Sequence, residues 1–244
     1  MKLTLESGGF FKDTLNIISD LVSEVRFKIT DDGIDLVAMD PGVISMVVLK
    51  ILPTSFKEFE VEDDEEYVGV NLIDLTKILK RMRSDDEVTL ITEENKLLIS
   101  FKGKSQRKFY IPLLDLSDQE KNLPDFEFSA SFETESSRLS DAIADAKVVS
   151  DSVILKVDTD KKLHLEAKDN LSKVEEKFED IEIDSDGEEI KSKYSIDYLE
   201  KMITNKLSDK ITVKTSDNYP IELGYKVVDK LSLNFILAPR MDTE

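Results

Sequence analysis

Over much of this chain, apolar and polar residues alternate with a period of two. Runs such as VRFKIT, GIDLVAM, SMVVLKIL, EVTLIT and KLLISF are rich in Val, Ile, Leu and Phe and are separated by Asp, Asn, Gly or Ser. That pattern predicts short, half-buried strands joined by turns. Four segments break the rhythm, residues 9–22, 71–82, 136–149 and 195–207, with apolar residues spaced i, i+3, i+4, i+7. In the second of them Leu72, Leu75, Leu79 and Met82 make the stripe. Each reads as an amphipathic helix that lays one face on a core.

The order of these elements repeats. With the second half laid on the first at an offset of 124 to 129 residues, GIDLVAMD (33–40) falls on KLHLEAKD (162–169) and DEVTL (86–90) on DKITV (209–213). Leu72, Leu75, Lys77 and Leu79 fall on Ile196, Leu199, Lys201 and Ile203, and both halves close on a hydrophobic strand, KFYIPLL and LNFILAP. Such self-similarity predicts a duplicated unit. Between the copies, DLSDQEKNLPDF (115–126) is polar, charged and carries a proline, and reads as an extended connector. The expected domains are 1–114 and 126–244, joined by 115–125. The expected fold class is α+β, two tandem copies of antiparallel sheet with two helices each on one face.

Composition narrows the function. A chain of 244 residues with 40% hydrophobic content holds enough apolar surface for two domains of about 120 residues. The start MKLTLESGGF has no apolar segment after a basic one, so no leader is expected, and no window approaches the roughly 18 apolar residues of a membrane span. With no cysteine and a single histidine, His164, disulfides, thiolate sites and zinc sites built on several imidazoles are excluded, and a cytosolic setting fits.

An excess of 52 acidic over 33 basic residues, net −19, argues against a nucleic-acid partner, because phosphate is bound through Lys and Arg. One segment says otherwise. TKILKRMRSDD (76–86) concentrates Lys77, Lys80, Arg81 and Arg83. On a helix over 71–82, Lys77, Lys80 and Arg81 lie opposite the apolar stripe, with no acidic side chain inside the helix at i+3 or i+4 to offset them. Lys12 and Arg138 open the first and third helices at matching repeat positions. Helices facing a common interior would make a positive field inside a negative particle. Asp141, Asp145, Asp197 and Glu200 dilute that charge in the second half, and EVEDDEEY (60–67) and IEIDSDGEEI (181–190) read as exposed acidic loops.

Catalysis finds little support. Asp31/Asp32, Asp63/Asp64 and Glu65/Glu66 sit in polar, turn-like stretches with no apolar frame to perturb a pKa. No glycine-rich phosphate loop, G-x-S-x-G elbow or second histidine is present. His164, in an alternating strand, reads as a surface or edge residue. A β-rich interaction module without a DNA role, and a metal-dependent hydrolase using the acidic clusters, stay open on this ground.

The stretches LVAMDPGVISMVVLKI (36–51), ILKRMRSDDEVTL (78–90), the connector ending NLPDFEF and the terminal FILAPRMDTE resemble the sliding clamps of the proliferating cell nuclear antigen family in their compact, cysteine-free archaeal form. The similarity runs over essentially the whole chain. The resemblance implies a closed trimeric ring, of identical or related chains, with helices lining the hole and sheets outside. It implies a non-enzymatic, cofactor-free processivity factor of the cytoplasm and nucleoid that encircles duplex DNA without sequence preference. Its partners would be the clamp loader, replicative DNA polymerase, flap endonuclease and DNA ligase, bound through short peptide motifs.

Carried onto this chain, the DNA-facing residues are Lys12, Lys77, Lys80, Arg81, Arg83, Arg138, Lys147, Lys201 and Lys206. The partner-peptide pocket is Met39, Val43, Ile44, Met46, Leu123, Pro124, Pro220, Ile236, Leu237, Ala238 and Pro239. Position 43, polar in eukaryotic members, is Val here. Subunits would join through edge strands, with Arg107, Lys108, Phe109 and Ile111 of one copy against Glu175, Glu176, Phe178 and Glu179 of the next, the glutamates offsetting Arg107 and Lys108.

Overall fold

The computed structural model describes residues 1–116 and 124–241. Residues 117–123 of the expected connector, Leu123 among them, lie outside the described residues. The first half runs β1 (Lys2–Leu5), α1 (Gly9–Ser19), β2 (Glu24–Thr30), β3 (Gly33–Met39), β4 (Ser45–Ile51), β5 (Glu58–Glu60) and β6 (Glu66–Asn71). It continues with α2 (Leu72–Leu79), β7 (Glu87–Glu93), β8 (Lys96–Lys102) and β9 (Gln106–Pro112). The second half repeats that order: β10 (Ala130–Glu135), α3 (Ser136–Val149), β11 (Ser152–Val157), β12 (Leu163–Lys168), β13 (Lys173–Phe178) and β14 (Ile183–Ser185). Then come β15 (Ile190–Ser195), α4 (Ile196–Met202), β16 (Lys210–Thr215), β17 (Ile221–Val227) and β18 (Leu231–Leu237). The fold is α+β.

Pairing repeats with the order. β1 lies between β5 and β7, antiparallel to both, as β10 lies between β14 and β16. β2 lies between β3 and β6 as β11 lies between β12 and β15. Leu72 and Ile196, matched in the sequence repeat, are the first residues of α2 and α4. By compactness the chain divides into two units: Met1–Pro41, Val47–Leu123 and Lys226–Leu233 in one, Gly42–Met46, Pro124–Tyr225 and Asn234–Glu244 in the other. Neither unit is a single stretch of chain. The first holds the sheet β5-β1-β7-β8-β9 and the second the sheet β13-β12-β11-β15.

Each unit closes on its own apolar core. In the first, Leu3 of β1, Phe27 of β2, Val70 of β6 and Leu90 of β7 meet Phe11 of α1 and Leu75 of α2 around a cavity of about 20 Å³. In the second, Val153 of β11, Leu165 of β12 and Leu223 of β17 meet Leu139 and Ile143 of α3 and Leu199 of α4 around one of about 10 Å³. These voids are near or below the size of one water molecule, as expected of interiors packed like organic crystals.

The third helix spans 136–149 as its apolar spacing predicts, and the other three stop earlier. Past Ser19 the backbone tightens, with the Leu21 amide bonded to the Ile18 carbonyl at 3.0 Å, and Leu21 and Val22 still reach the core. Past Leu79, Arg81 bonds back to Ile78 and Met82 to Leu79 in the same i to i−3 way. The fourth helix ends at Met202 rather than 207, because Ile203 is extended and the Tyr225 hydroxyl takes over. That hydroxyl donates to the Met202 carbonyl and accepts from the Thr204 amide, both at 2.9 Å. A buried side chain from β17 thus satisfies helix-end groups that the helix cannot.

Two local expectations change. The stretch 181–190 is not a plain acidic loop: Ile181, Ile183 and Ile190 are buried, and Ile183–Ser185 is β14. His164 is neither at an edge nor on open surface. It lies in β12 between β11 and β13, mostly covered, with Nε2 2.8 Å from Asp158. Burial pushes the Asp158 carboxyl up, but the Lys162 amide and His164 outweigh it and hold it below its ordinary value.

Replacing Tyr225 by Phe keeps the ring, edge-on to Phe235, and leaves the Met202 carbonyl and Thr204 amide without their partner. The expected loss is about 1–3 kcal/mol of unfolding free energy in urea titration, with an unchanged slope.

Candidate functional site

The basic segment lies on the turn after α2. Asn71 caps that helix, accepting from the Asp74 amide at 3.1 Å, and Leu72, Leu75 and Leu79 are buried. Lys80, Arg81 and Arg83 are exposed, and none has an ion pair within the chain among the described residues. Positive charge here also complements the negative end of the helix dipole. Lys77 departs from expectation. It does have an acidic partner, Asp74 at 3.1 Å, one turn toward the N-terminus rather than at i+3 or i+4.

The turn is held from beneath. Asp86 is 2% exposed; its carboxylate accepts from the Arg83 amide at 2.6 Å and pairs with the Arg107 guanidinium. Arg107 reaches over from β9 and also donates to the Arg81 carbonyl at 2.8 Å. Burial raises the Asp86 carboxyl, yet the Arg83 amide and Arg107 leave it below its ordinary value.

Of the other candidate cations, Lys12, Arg138 and Lys147 have acidic partners inside the chain. Lys12 lies 3.7 Å from Asp13. Arg138 bonds Asp180 at 2.7 Å and lies 4.7 Å over the Phe178 ring. Lys147, on α3, pairs with Asp197 and Glu200 of α4. Lys201 is 5.6 Å from the Tyr198 ring, and Lys206 stands beyond the end of α4 rather than on it.

Of the expected partner pocket, Val43 and Ile44 are 65% and 43% exposed, large apolar side chains left in water. Val43 has φ of 56°, a conformation strained for a β-branched residue. The Ala238 amide donates to the Ile44 carbonyl at 2.9 Å, which joins the segment 42–46 to the terminal one. Met39, Pro220, Ala238 and Pro239 are half-buried and Pro124 exposed, whereas Met46, Ile236 and Leu237 are buried in the core.

Sequence reasoning missed an aromatic group beside Pro220. The Phe126 and Phe128 rings stack 6.1 Å apart, and both meet the edge of Tyr219, at 6.4 and 5.9 Å. The alternation in PDFEF was the available signal.

Both expected contact strands lie at sheet edges: β9 ends the five-stranded sheet and β13 the four-stranded one, each with a row of backbone groups open to pairing. The side chains sort differently. Phe178 is fully buried and Ile111 nearly so. Phe109 is half-buried, 5.5 Å from Phe101, while Lys108 and Tyr110 point outward, Tyr110 51% exposed. The parity of this strand was unreadable without knowing which face was covered. Arg107 is already bound to Asp86. Glu175 pairs with Lys173 at 2.7 Å and Glu179 with Lys177 at 3.1 Å. Burial pushes the Glu176 carboxyl up, with Arg138 opposing and Asp145 and Asp141 adding to the rise.

The acidic pairs differ too. Asp31, Asp32, Asp63 and Asp64 are exposed. Glu66, by contrast, starts β6 and holds the Met1 amino group at 2.8 Å. Among the described residues no three His, Asp or Glu side chains are grouped to hold a metal ion, and no helix is long and apolar enough to cross a membrane.

Residues 1–121 match the model of the proliferating cell nuclear antigen N-terminal domain. Along its length the chain is 35% identical to the DNA polymerase sliding clamp of Nanoarchaeum equitans, covering 99% of this chain and 100% of that one. It is 33% identical to the DNA polymerase sliding clamp of Pyrococcus furiosus, covering 99% and 98%. Its structure superposes on the crystal structure of PCNA from Thermococcus kodakaraensis with a TM-score of 0.91 at 26% identity, covering 98% and 99%. On A. fulgidus PCNA, solved with the C-terminal region of FEN-1 bound, the TM-score is 0.87 at 28% identity, covering 100% and 99%. The chain therefore belongs to the proliferating cell nuclear antigen family of DNA polymerase sliding clamps.

Proposed function

We propose that this protein is a DNA polymerase sliding clamp: it closes with two further copies into a ring around duplex DNA and tethers replication and repair enzymes there. What supports the reading is end-to-end similarity to proteins of that name and a structural relative with the C-terminal region of FEN-1 bound. The observation that carries it in this chain is the turn bearing Lys80, Arg81 and Arg83, exposed and unpaired among the described residues, in a protein of net charge −19. Sequence-blind phosphate contacts of that kind are weak and break readily in salt. They suit a protein that must slide, with the closed ring supplying retention. Such a protein tethers and transforms nothing, and works at the nucleoid in the cytoplasm.

The proposed domains are 1–114 and 126–244 about the connector 115–125. Lys80, Arg81 and Arg83 lead the DNA surface, and the cations offset within the chain contribute less. Val43, Ile44, Pro220, Ala238 and Pro239, extended by Phe126, Phe128 and Tyr219, take the aliphatic and aromatic anchors of partner peptides. Edge strand β9 pairs with β13 of the next copy, with Phe109 and Tyr110 at the contact.

Loading tests the function. With a clamp loader and ATP, the protein is expected to stay on nicked circular DNA and to run off once the circle is cut. The triple substitution Lys80→Ala, Arg81→Ala, Arg83→Ala should lower loading without altering the mass in light scattering. Equal retention on circular and linear DNA would remove the ring from the account.

Ile44→Asp tests the peptide surface. A carboxylate stranded against a docked apolar anchor costs about 3 kcal/mol, or roughly a hundredfold in affinity. Calorimetry with a peptide carrying Gln, an aliphatic residue and two adjacent aromatics should show that loss. Wild-type affinity would take Ile44 out of the site.

A further inference from the structure

We propose that Arg107 and Asp86 are positioning residues for the DNA contact, a pair that fixes the cationic turn from beneath without touching DNA. The inference rests on the reading that Lys80, Arg81 and Arg83 meet phosphate.

Three bonds close on the turn at two of its three cations. Arg107 donates to the Arg81 carbonyl and to the Asp86 carboxylate, and that carboxylate accepts from the Arg83 amide. The backbones of Arg81 and Arg83 are therefore tied to a rigid strand while their side chains stay in solvent. The ties are protected. Asp86 is 2% exposed and Arg107 21%, and the guanidinium lies 5.1 Å over the Phe101 ring, itself fully buried. Gly103 makes the room, since a Cβ there would come within 2.7 Å of the Asp86 carboxylate.

A surface loop whose only purpose was to carry charge would not need a buried acid. Asp86 places a negative charge beside Arg83, on the turn that also carries Lys80 and Arg81, and by electrostatics alone it opposes DNA binding. Its net use is mechanical. A turn held in one conformation presents its cations without first losing backbone entropy, and such preorganisation strengthens weak contacts. Arg107 also belongs to β9, so the strand proposed to pair with the next subunit is the one that holds the turn.

The sign of one substitution separates the two ideas. Asp86→Asn keeps the shape of the side chain and removes a negative charge beside the cations. If the turn acts through charge alone, binding to a short duplex, read by fluorescence anisotropy at low salt, tightens. If it acts through position, binding weakens, by about fivefold or more: the Asn oxygen can still accept from the Arg83 amide, but the charge-assisted bond from Arg107 becomes a weaker neutral one and the turn regains backbone freedom of about one residue. Arg107→Lys is the second arm, useful also if Asp86→Asn fails to fold. It keeps the charge but cannot span both the Arg81 carbonyl and the Asp86 carboxylate, and the same weakening is expected. Melting and light scattering on each variant establish that fold and assembly are kept.

Tighter or unchanged binding in the folded variants overturns the positioning role. The Lys80→Ala, Arg81→Ala, Arg83→Ala variant runs alongside. If it binds duplex as the wild type does, the DNA-facing reading itself fails. If it loses binding while Asp86→Asn and Arg107→Lys do not, only the positioning role fails.

Discussion

Among the described residues the structure depends on four short helices that cannot stand alone. At 7 to 14 residues, they fall at or below the length at which isolated helices hold in water, so their stability comes from burying one apolar stripe on a sheet. Leu15, Ile18, Leu72, Leu75 and Leu79 do this in one unit and Leu139, Ile143, Ile196 and Leu199 in the other. That burial decides which residues are left outside. With the stripe of α2 pressed inward, the residues that follow it, Lys80, Arg81 and Arg83, are turned to solvent together.

The same scaffold serves the two copies unequally. In the first unit Lys80, Arg81 and Arg83 are exposed with no ion pair among the described residues, although Lys12 and Lys77 have acidic neighbours. In the second, Arg138 and Lys147 are bound to Asp180, Asp197 and Glu200, and α3, which carries both along with Asp141 and Asp145, has no net charge. Exposed ion pairs of this kind add little stability, so their main consequence is electrostatic. Of the candidate cations, Lys80, Arg81 and Arg83 are the three that stand together on one turn with no ion pair among the described residues.

Much of this was legible in the sequence, because periodicity reports burial. The four helices and the duplicated order follow from which positions are apolar and how they recur, while the two contact strands are what the family resemblance implies. What was hidden depends on contacts between residues far apart in the chain. The end of α4 is set by the Tyr225 hydroxyl, and the part played by Arg107 is set by Asp86, which no local pattern announces. Ile183 was lost among acidic neighbours, and the partner of Lys77 lay one turn toward the N-terminus rather than at i+3 or i+4. Phe126 and Phe128 were visible as an alternation, but only packing against Tyr219 shows that they share a surface. Phe178 and Phe109 show the same limit from the other direction, since a strand at an edge does not declare which of its faces is covered.

Pairing of edge strand β9 with β13 of a second copy makes one demand above all, that copies of this chain join and close. Size-exclusion chromatography with light scattering on the protein alone measures it directly. The account predicts a single species of three chains of 27.8 kDa each, stable on dilution to low micromolar concentration. A mass of one chain across that range, or a mass that climbs without limit as edges pair in open filaments, would contradict it.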